Sequence, residues 1–99
     1  MELLLLSAIS SGATHGYAIA QTLRAASDGD VDLQDGTIYP ALRRLENAGL
    51  IVSTWSEGER RRRRSYALTD EGVEALARER DEWIRFQRSV TGVLALLRP

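Results

Sequence analysis

The stretch from residue 35 to residue 50 constrains the fold most, because it carries an amphipathic helix pattern with a proline in its first half. Proline lacks a backbone N–H and is tolerated only in the first turn of a helix. Pro40 therefore predicts a helix that begins near residue 36 or 37, with Asp35 or Thr37 as its N-terminal cap. Gly49 predicts the end of this helix.

The two sides of the predicted helix differ in polarity. At about 100° per residue, one side is apolar and can pack on a core; it consists of Ile38, Ala41, Leu42, Leu45 and Gly49. The opposite side is polar and consists of Tyr39, Pro40, Arg43, Arg44 and Asn47. Guanidinium, amide and phenol groups contact phosphates and base edges in complexes with DNA. An ordinary solvated face that holds two arginines is the alternative interpretation.

A chain of 99 residues can build one hydrophobic core but has little stability to spare, so a dimer would help it. It contains no cysteine and a single histidine, His15, which argues against disulfides, metal sites and a cysteine nucleophile. The apolar start at residues 1–6 is short and lacks a basic leader, so we expect a core helix and not a signal peptide or membrane span. We expect a cytoplasmic protein with no metal and no cofactor.

The charge of the chain is nearly balanced overall but unevenly distributed. The net charge is −1, a balance that by itself argues against binding to nucleic acid. Residues 43–64, however, hold seven arginines and three acids, while residues 28–35 hold four acids and no base. Salt screens exposed charges beyond about 10 Å, so the local distribution matters more than the sum. The strongly basic residues are all arginine, which suits bidentate contacts to phosphate or guanine.

Two helices are predicted ahead of the 35–50 stretch. The first spans residues 2–11 and is apolar almost all round, which indicates a buried scaffold helix. The second runs from residue 14 or 15 to residue 27, with its apolar positions at Tyr17, Ile19, Ala20 and Leu23. Its start, His15-Gly16-Tyr17, has two interpretations, a contact with DNA or a role in capping and packing.

A β-hairpin is predicted after residue 49. Residues 50–56 are β-branched and aromatic and residues 64–68 alternate in polarity, so they form two short strands joined by a charged loop. The loop leads into five successive arginines, Arg60, Arg61, Arg62, Arg63 and Arg64, which repel one another unless a polyanion meets them. A flexible, soluble tip is the alternative. A further short strand is predicted at residues 31–33, in the connector before the central helix.

A long C-terminal helix is predicted from its cap, Thr69, to Leu97, a length of about 42 Å. Apolar residues recur along it in a seven-residue pattern, namely Leu76, Trp83, Phe86, Val90, Val93 and Leu97. A small domain cannot bury such a stripe by itself, which predicts a partner helix in a homodimer. Packing within the monomer is the alternative, and Glu79 and the Thr91-Gly92 pair interrupt a strict coiled coil and allow a kink.

Several motifs together resemble the PadR-like transcriptional regulators. The most specific is Gly36-Thr37-Ile38-Tyr39-Pro40-Ala41-Leu42. The others are His15-Gly16-Tyr17, Arg44-Leu45-Glu46, Gly49-Leu50-Ile51, Arg64, Tyr66, Leu68-Thr69 and Gly72. They cover about residues 3 to 75 in the order and spacing of the family.

The resemblance implies a mainly α fold with a small β-hairpin. It implies a winged helix-turn-helix DNA-binding domain over residues 1–68 and a C-terminal dimerisation helix over residues 69–99. The helix from Thr37 would be the recognition helix and the hairpin the wing. The resemblance also implies a repressor that leaves DNA when a phenolic or other flat hydrophobic effector binds, and a single terminal helix is similar to the short branch of the family.

The expected function is binding of double-stranded DNA by a homodimer at a near-palindromic operator. The expected DNA-binding residues are Thr37, Tyr39, Pro40, Arg43, Arg44, Asn47 and Arg60, Arg61, Arg62, Arg63 and Arg64. The expected dimer interface consists of Leu76, Trp83, Phe86, Val90, Val93 and Leu97. Trp83 and Phe86 are also candidates for stacking on an aromatic effector, with plain interface core as the alternative. A winged-helix module that binds another protein and never DNA is the alternative function, and no catalytic residues are expected.

Overall fold

The computed structural model describes residues 1–57 and 62–97. Over these residues the chain forms four helices and a two-stranded antiparallel hairpin. In chain order the elements are α1 (Glu2–Ser10), α2 (Gly16–Ala26), α3 (Asp35–Asn47), β1 (Ile51–Glu57), β2 (Arg62–Leu68) and α4 (Asp70–Leu94). The predicted order of helices and hairpin is confirmed, as is the mainly α fold class.

One hydrophobic core joins α1, α2 and α3 to the hairpin and to the start of α4. Its largest fully buried side chains come from all of these elements except α4, and they are Leu5, Leu6, Ile19, Ile38, Leu42 and Ile51. Burial of one such side chain stabilises the folded state by about 1.5–3 kcal/mol. Ala75 of α4 is also buried there, and Leu76 packs partly against the same core.

The start of α3 differs from the expectation. The helix begins at Asp35, one residue before the predicted start, and its N-cap residue is Gln34. No side chain caps it, so the predicted cap by Asp35 or Thr37 is wrong. The carbonyl of Gln34 instead accepts a hydrogen bond from the N–H of Thr37 at 2.9 Å. Pro40 consequently lies in the second turn. The carbonyl that loses its donor to Pro40 belongs to Gly36, which is exposed and so accessible to water.

α3 ends just before Gly49, as predicted. Gly49 has φ +79°, in the left-handed region that glycine adopts without steric cost. Its N–H donates to the carbonyl of Glu46 at 3.0 Å, and the N–H of Leu50 donates to the carbonyl of Leu45 at 3.0 Å. These two bonds form a Schellman motif, which turns the chain directly into β1.

Two predictions about the segments that flank α3 are wrong. Tyr17, expected at an apolar packing position, is 71% exposed, and its hydroxyl accepts a hydrogen bond from Nε2 of Gln21 at 2.7 Å. Residues 31–33 form no strand, although their apolar side chains pack partly on the core. An earlier segment lies beside the hairpin instead: the N–H of Tyr66 donates to the carbonyl of Thr14 at 2.8 Å.

The hairpin projects from the core. Its antiparallel register sets Ile51 opposite Leu68 and Trp55 opposite Arg64. Alternate residues of a strand share one face, so these two pairs lie on the same face as Tyr66. That face is buried at Ile51 and Tyr66, next to the core, and exposed at Trp55 and Arg64, farther along the hairpin.

α4 begins as predicted and extends well beyond the core. Oγ1 of its N-cap residue, Thr69, accepts a hydrogen bond from the N–H of Gly72 at 3.0 Å. Its 25 residues span about 37 Å at 1.5 Å per residue. The helix continues through residues 91–92 and ends at Leu94, three residues before the predicted end. Within the described ranges, no helix has the length and apolar character needed to cross a bilayer.

Candidate nucleic-acid interface

The outward side of α3 is exposed to solvent. Its inner side is buried at Ile38, Ala41, Leu42 and Leu45. The expected contact residues on the helix are all exposed, and they are Thr37, Tyr39, Pro40, Arg43, Arg44 and Asn47. The predicted division of this helix into an apolar and a polar side is therefore confirmed, and the polar side is accessible to a ligand.

Arg43 and Arg44 leave α3 in different directions. Successive residues of a helix lie about 100° apart around its axis. Arg44 lines a shallow groove between α3 and the start of α1, together with Met1, Glu2, Leu5, Ala41 and Leu45. Arg43 is not among the residues that line this groove, and its positive charge opposes the rise in the pKa of the Tyr66 phenol. The two arginines therefore serve different parts of the surface.

Tyr66 and Glu46 connect the hairpin to α3. Tyr66 is buried, and this burial raises the pKa of its phenol above the usual value. The Arg64 guanidinium opposes that rise in pKa, whereas Glu46 and Tyr39 add to it. Oγ of Ser53 in β1 donates a hydrogen bond to Oε2 of Glu46 at 2.6 Å. The Ser53–Glu46 hydrogen bond thus joins the hairpin to α3.

The exposed part of the hairpin carries a cation–π pair. The guanidinium carbon of Arg64 lies 5.1 Å from the ring centroid of Trp55, directly across the strand ladder. A contact of this kind contributes about 0.5–1 kcal/mol at an exposed site. Trp55 has no role in the sequence-based expectations beyond its place in a strand, and only the strand register could have indicated this pair.

The remaining arginines of the predicted wing are described only in part. Arg63 is exposed and lies on the opposite face of the hairpin from Arg64, because neighbouring strand residues alternate. Arg62 lies in β2, but its side chain is outside the described residues. The expected contacts of Arg60 and Arg61 also lie outside the described residues. The described positive charge of the wing is thus present on both faces of the hairpin.

The start of α2 packs against both the hairpin and α3. His15 is the N-cap residue of α2, but its side chain does not cap the helix; its Nδ1 lies 3.3 Å from the carbonyl oxygen of Arg64. Gly16 is buried and lies against the ring of Tyr39. The packing interpretation of this motif is confirmed for these two residues, whereas capping by the imidazole is wrong.

The acidic segment of residues 28–35 is a solvated connector. Its four carboxylates are exposed, and Asp32 forms an ion pair with Arg24 at 2.7 Å. In the part of the chain that the structure describes, no group of three or more metal-ligating side chains could hold a metal ion. The segment thus links α2 to the start of α3, with one of its carboxylates held by Arg24.

A second exposed surface runs along α4, and we call it the arm stripe; its residues are Trp83, Phe86, Val90, Val93, Leu94 and Leu97. Trp83 is 52% exposed and Phe86 59% exposed, and their ring centroids lie 5.8 Å apart. Leu94 is an addition to the predicted surface, although it follows Val90 by four residues. Leu76, also expected in the dimer interface, is partly buried and packs against the core of its own chain.

Glu79 lies between the buried and the exposed parts of the apolar side of α4. Its spacing of three and four residues from Leu76 and Trp83 places it on their side of the helix. Its Oε2 is buried and has no hydrogen-bond partner among the residues described. A buried carboxylate oxygen without a donor is unfavourable, so a donor from outside the monomer would stabilise Glu79.

Comparison with known proteins identifies the family. The family model described as "Transcriptional regulator PadR-like family" matches residues 5–78, which is most of the chain. This chain belongs to that family. The match includes the three helices, the hairpin and the start of α4, and it stops before the arm stripe.

Solved structures of PadR-like proteins share the fold. A PadR family transcription regulator from Clostridium difficile is 32% identical, with a TM-score of 0.82 over 94% of this chain and 96% of that chain. A PadR-like transcriptional regulator from Bacillus cereus is 28% identical, with a TM-score of 0.82 over 94% of this chain and 89% of that chain. The predicted winged helix-turn-helix with a C-terminal helix is therefore confirmed.

Curated relatives differ in length from this PadR-like chain. The transcriptional regulator Rv3488 of Mycobacterium tuberculosis is 37% identical over 78 residues, which are 79% of this chain and 70% of that protein. The transcriptional regulator YqjI of Escherichia coli is 28% identical over 82 residues, which are 83% of this chain but 38% of that protein. The chain thus spans less than half the length of YqjI. The shared part supports the assignment of this PadR-like protein as a transcriptional regulator.

Proposed function

We propose that this PadR-like protein is a homodimeric repressor that binds a near-palindromic operator in double-stranded DNA. The observation that carries the proposal is the outward side of α3, which is polar, arginine-bearing and exposed, with the hairpin joined to α3 by a hydrogen bond. Each subunit inserts α3 into a major groove, and the two half-sites lie about one helical turn apart. Such a protein works in the cytoplasm, together with the DNA that it regulates.

Arg43 is the residue that we assign to base edges. Arg43 is exposed in the middle of α3, and its guanidinium can donate two hydrogen bonds to guanine. Asn47 follows it by one turn and can make the corresponding pair of bonds to adenine. Tyr39 and Pro40 precede Arg43 on the same exposed side and contact the sugar-phosphate backbone or the methyl group of thymine.

The remaining exposed residues are assigned to phosphates. Thr37 lies near the N-terminus of α3, where anions bind. Its N–H already donates to the carbonyl of Gln34, so its hydroxyl is the group that donates to the phosphate. Arg44, on the other flank of α3, contacts the backbone of the same half-site. Arg63 and Arg64 on the hairpin, with Arg60, Arg61 and Arg62, follow the backbone and add affinity without sequence preference.

A second copy of the chain covers the arm stripe in this proposal. Tryptophan and phenylalanine are enriched in protein interfaces, and large contiguous apolar patches are rare on the surface of a monomer. Two-fold pairing brings identical stripes together and orients two α3 helices toward one duplex. The interface residues are Trp83, Phe86, Val90, Val93, Leu94 and Leu97, while Leu76 packs against the core of its own subunit.

The repressor role and its release by an effector rest on the likeness to the family and on one local feature. Trp83 and Phe86 form an exposed, tilted ring pair that can stack on a flat aromatic compound between the subunits. A variant with Trp55→Phe leaves Trp83 as the sole tryptophan, so its fluorescence reports on this site. Saturable quenching by a phenolic or planar compound supports an effector site; no response across a panel assigns both rings to interface core.

Salt dependence of DNA binding tests the proposal. A duplex is first selected from random DNA with the wild-type protein, and its binding is then measured by fluorescence anisotropy over a range of salt concentrations. The combined variant Arg63→Ala and Arg64→Ala should reduce the slope of log K against log salt by about 0.9 for each phosphate that the protein no longer neutralises. The matched control, Arg85→Ala with Arg88→Ala, removes two exposed arginines from α4 and should keep the wild-type slope.

The same experiment distinguishes the alternative function. A winged-helix module that binds only protein selects no duplex even at low salt and shows no salt-dependent binding. That result overturns the DNA-binding proposal as a whole. Selection of a duplex with an unchanged slope for the wing variant overturns only the role assigned to the wing.

A further inference from the structure

Gly16 lies where the start of α2 meets α3, and its backbone does not require a glycine. The glycines with positive φ are Gly12, Gly29 and Gly49, so conformational freedom does not explain a glycine at position 16. Space explains it: a β-carbon on Gly16 would lie 2.8 Å from both Cε1 and Oη of Tyr39. Alanine therefore cannot occupy position 16 unless the ring of Tyr39 moves.

Tyr39 is held between two elements and is still partly open to solvent. One edge of its ring lies against Gly16 at the start of α2. Its phenol is near enough to Tyr66 of the hairpin to influence the pKa of that group. Nevertheless, 47% of Tyr39 is exposed, on the outward side of α3. The side chain thus bridges α3 and the start of α2 and leaves nearly half of its surface open to solvent.

We infer that Gly16 is a positioning residue for DNA binding, because the absence of its β-carbon lets the Tyr39 phenol lie across the start of α2 with its hydroxyl directed at a phosphate of the duplex. This inference rests on the proposed function. Tyrosine hydroxyls are common donors to phosphate oxygens in DNA complexes. With alanine at position 16, the ring must rotate away, since the first turn of α2 is backbone packed on the core and has little freedom to move.

Affinity for the selected duplex, at one fixed salt concentration, tests the inference with a double-mutant cycle. Gly16→Ala should weaken binding about tenfold or more, the loss expected for one hydrogen bond to a charged group. In a Tyr39→Leu background, Gly16→Ala should cause no further loss, because the obstructing ring is absent. Gly92→Ala is the matched control, since no atom lies within 4 Å of a β-carbon at that position, and it should bind as tightly as wild type.

Tyr39→Phe provides a second test that leaves the packing on Gly16 intact. It removes only the hydroxyl and should produce the same loss of affinity. This test remains available if thermal unfolding shows that Gly16→Ala is not stably folded. Wild-type affinity for Gly16→Ala or for Tyr39→Phe overturns the inference. So does an equal loss from Gly16→Ala with and without the Tyr39 ring. Failure of the wild-type protein to select any duplex is a different result, because it overturns the proposed function itself.

Discussion

The apolar side of α4 has two different environments along one continuous helix. We call α1, α2, α3, the hairpin and the first two turns of α4 the head. In the head, Gly72 and Ala75 are buried and Leu76 is partly covered; from Trp83 onward the same side is exposed. The spacing of apolar residues hardly changes between the two regions. Periodicity therefore identifies which side of a helix must be covered, but it does not identify what covers it.

The largest expected effect tests whether the two ends of α4 really differ in packing. In Gly72→Ala, the new β-carbon overlaps the carbonyl oxygen of Leu50, and both backbones must shift. We expect a loss of about 3 kcal/mol in the free energy of unfolding, measured by urea denaturation. Gly92→Ala in the exposed part is the matched control, and its better helix propensity should add up to about 1 kcal/mol. Similar effects at the two glycines would contradict the contrast.

The next largest effect concerns the arm stripe. Phe86→Glu places a charge in the middle of the proposed dimer interface, where a charge without a partner is unfavourable. We expect sedimentation equilibrium to show a monomer, with a circular dichroism spectrum that retains the helices of the head. Arg88→Glu is the control, because it lies nearly opposite Phe86 around the helix and should leave the dimer intact. A stable dimer of Phe86→Glu would mean that another surface joins the subunits.

Local patterns in the sequence predict the order of the elements, the polar side of α3 and the Thr69 cap, because each depends on residues close together in the chain. They misplace Tyr17, because the inner side of α2 is set by the helices packed on it. Tyr17 lies about 100° around the helix axis from buried Gly16. At such a border position, the local pattern does not decide between the buried and the exposed side of the helix. The N–H of Tyr66 in β2 donates to the carbonyl of Thr14, and nothing in the sequence near Thr14 indicates that hydrogen bond.

The candidate site is predictable where it depends on charge and not where it depends on packing. Arg43 and Asn47 follow from the polarity of α3 alone. The stacking of Arg64 on Trp55 requires the strand register, and the packing of Tyr39 on Gly16 requires the angle between α2 and α3. Both are properties of the assembled fold, so no local spacing could reveal them.

A smaller effect concerns the boundary between the head and the arm stripe. In Glu79→Leu, an apolar side chain replaces a buried oxygen that has no partner in the described part of the chain. We expect a gain of about 1 kcal/mol in the free energy of unfolding, measured by urea denaturation. Glu74→Leu is the control, because Glu74 is exposed and should give no such gain. A loss of stability in Glu79→Leu would indicate that the second subunit supplies a donor, which would place Glu79 in the interface.

The smallest expected effect uses pH to distinguish the packing of the head from the packing of the arm stripe. Burial raises the pKa of Tyr66 in the folded state, so folding favours the neutral phenol. An unfolded tyrosine ionises near pH 10, so this contribution is complete below about pH 10 and is lost as the pH rises from there through the higher pKa of the folded state. The thermal midpoint of the wild-type protein should therefore fall above pH 10, and Tyr66→Phe should reduce that fall, whereas Tyr17→Phe, which changes an exposed phenol, should not. α4 contains no tyrosine, so the proposed dimer should not dissociate over the same range. Parallel loss of that dimer and of thermal stability would contradict independent packing of the two regions.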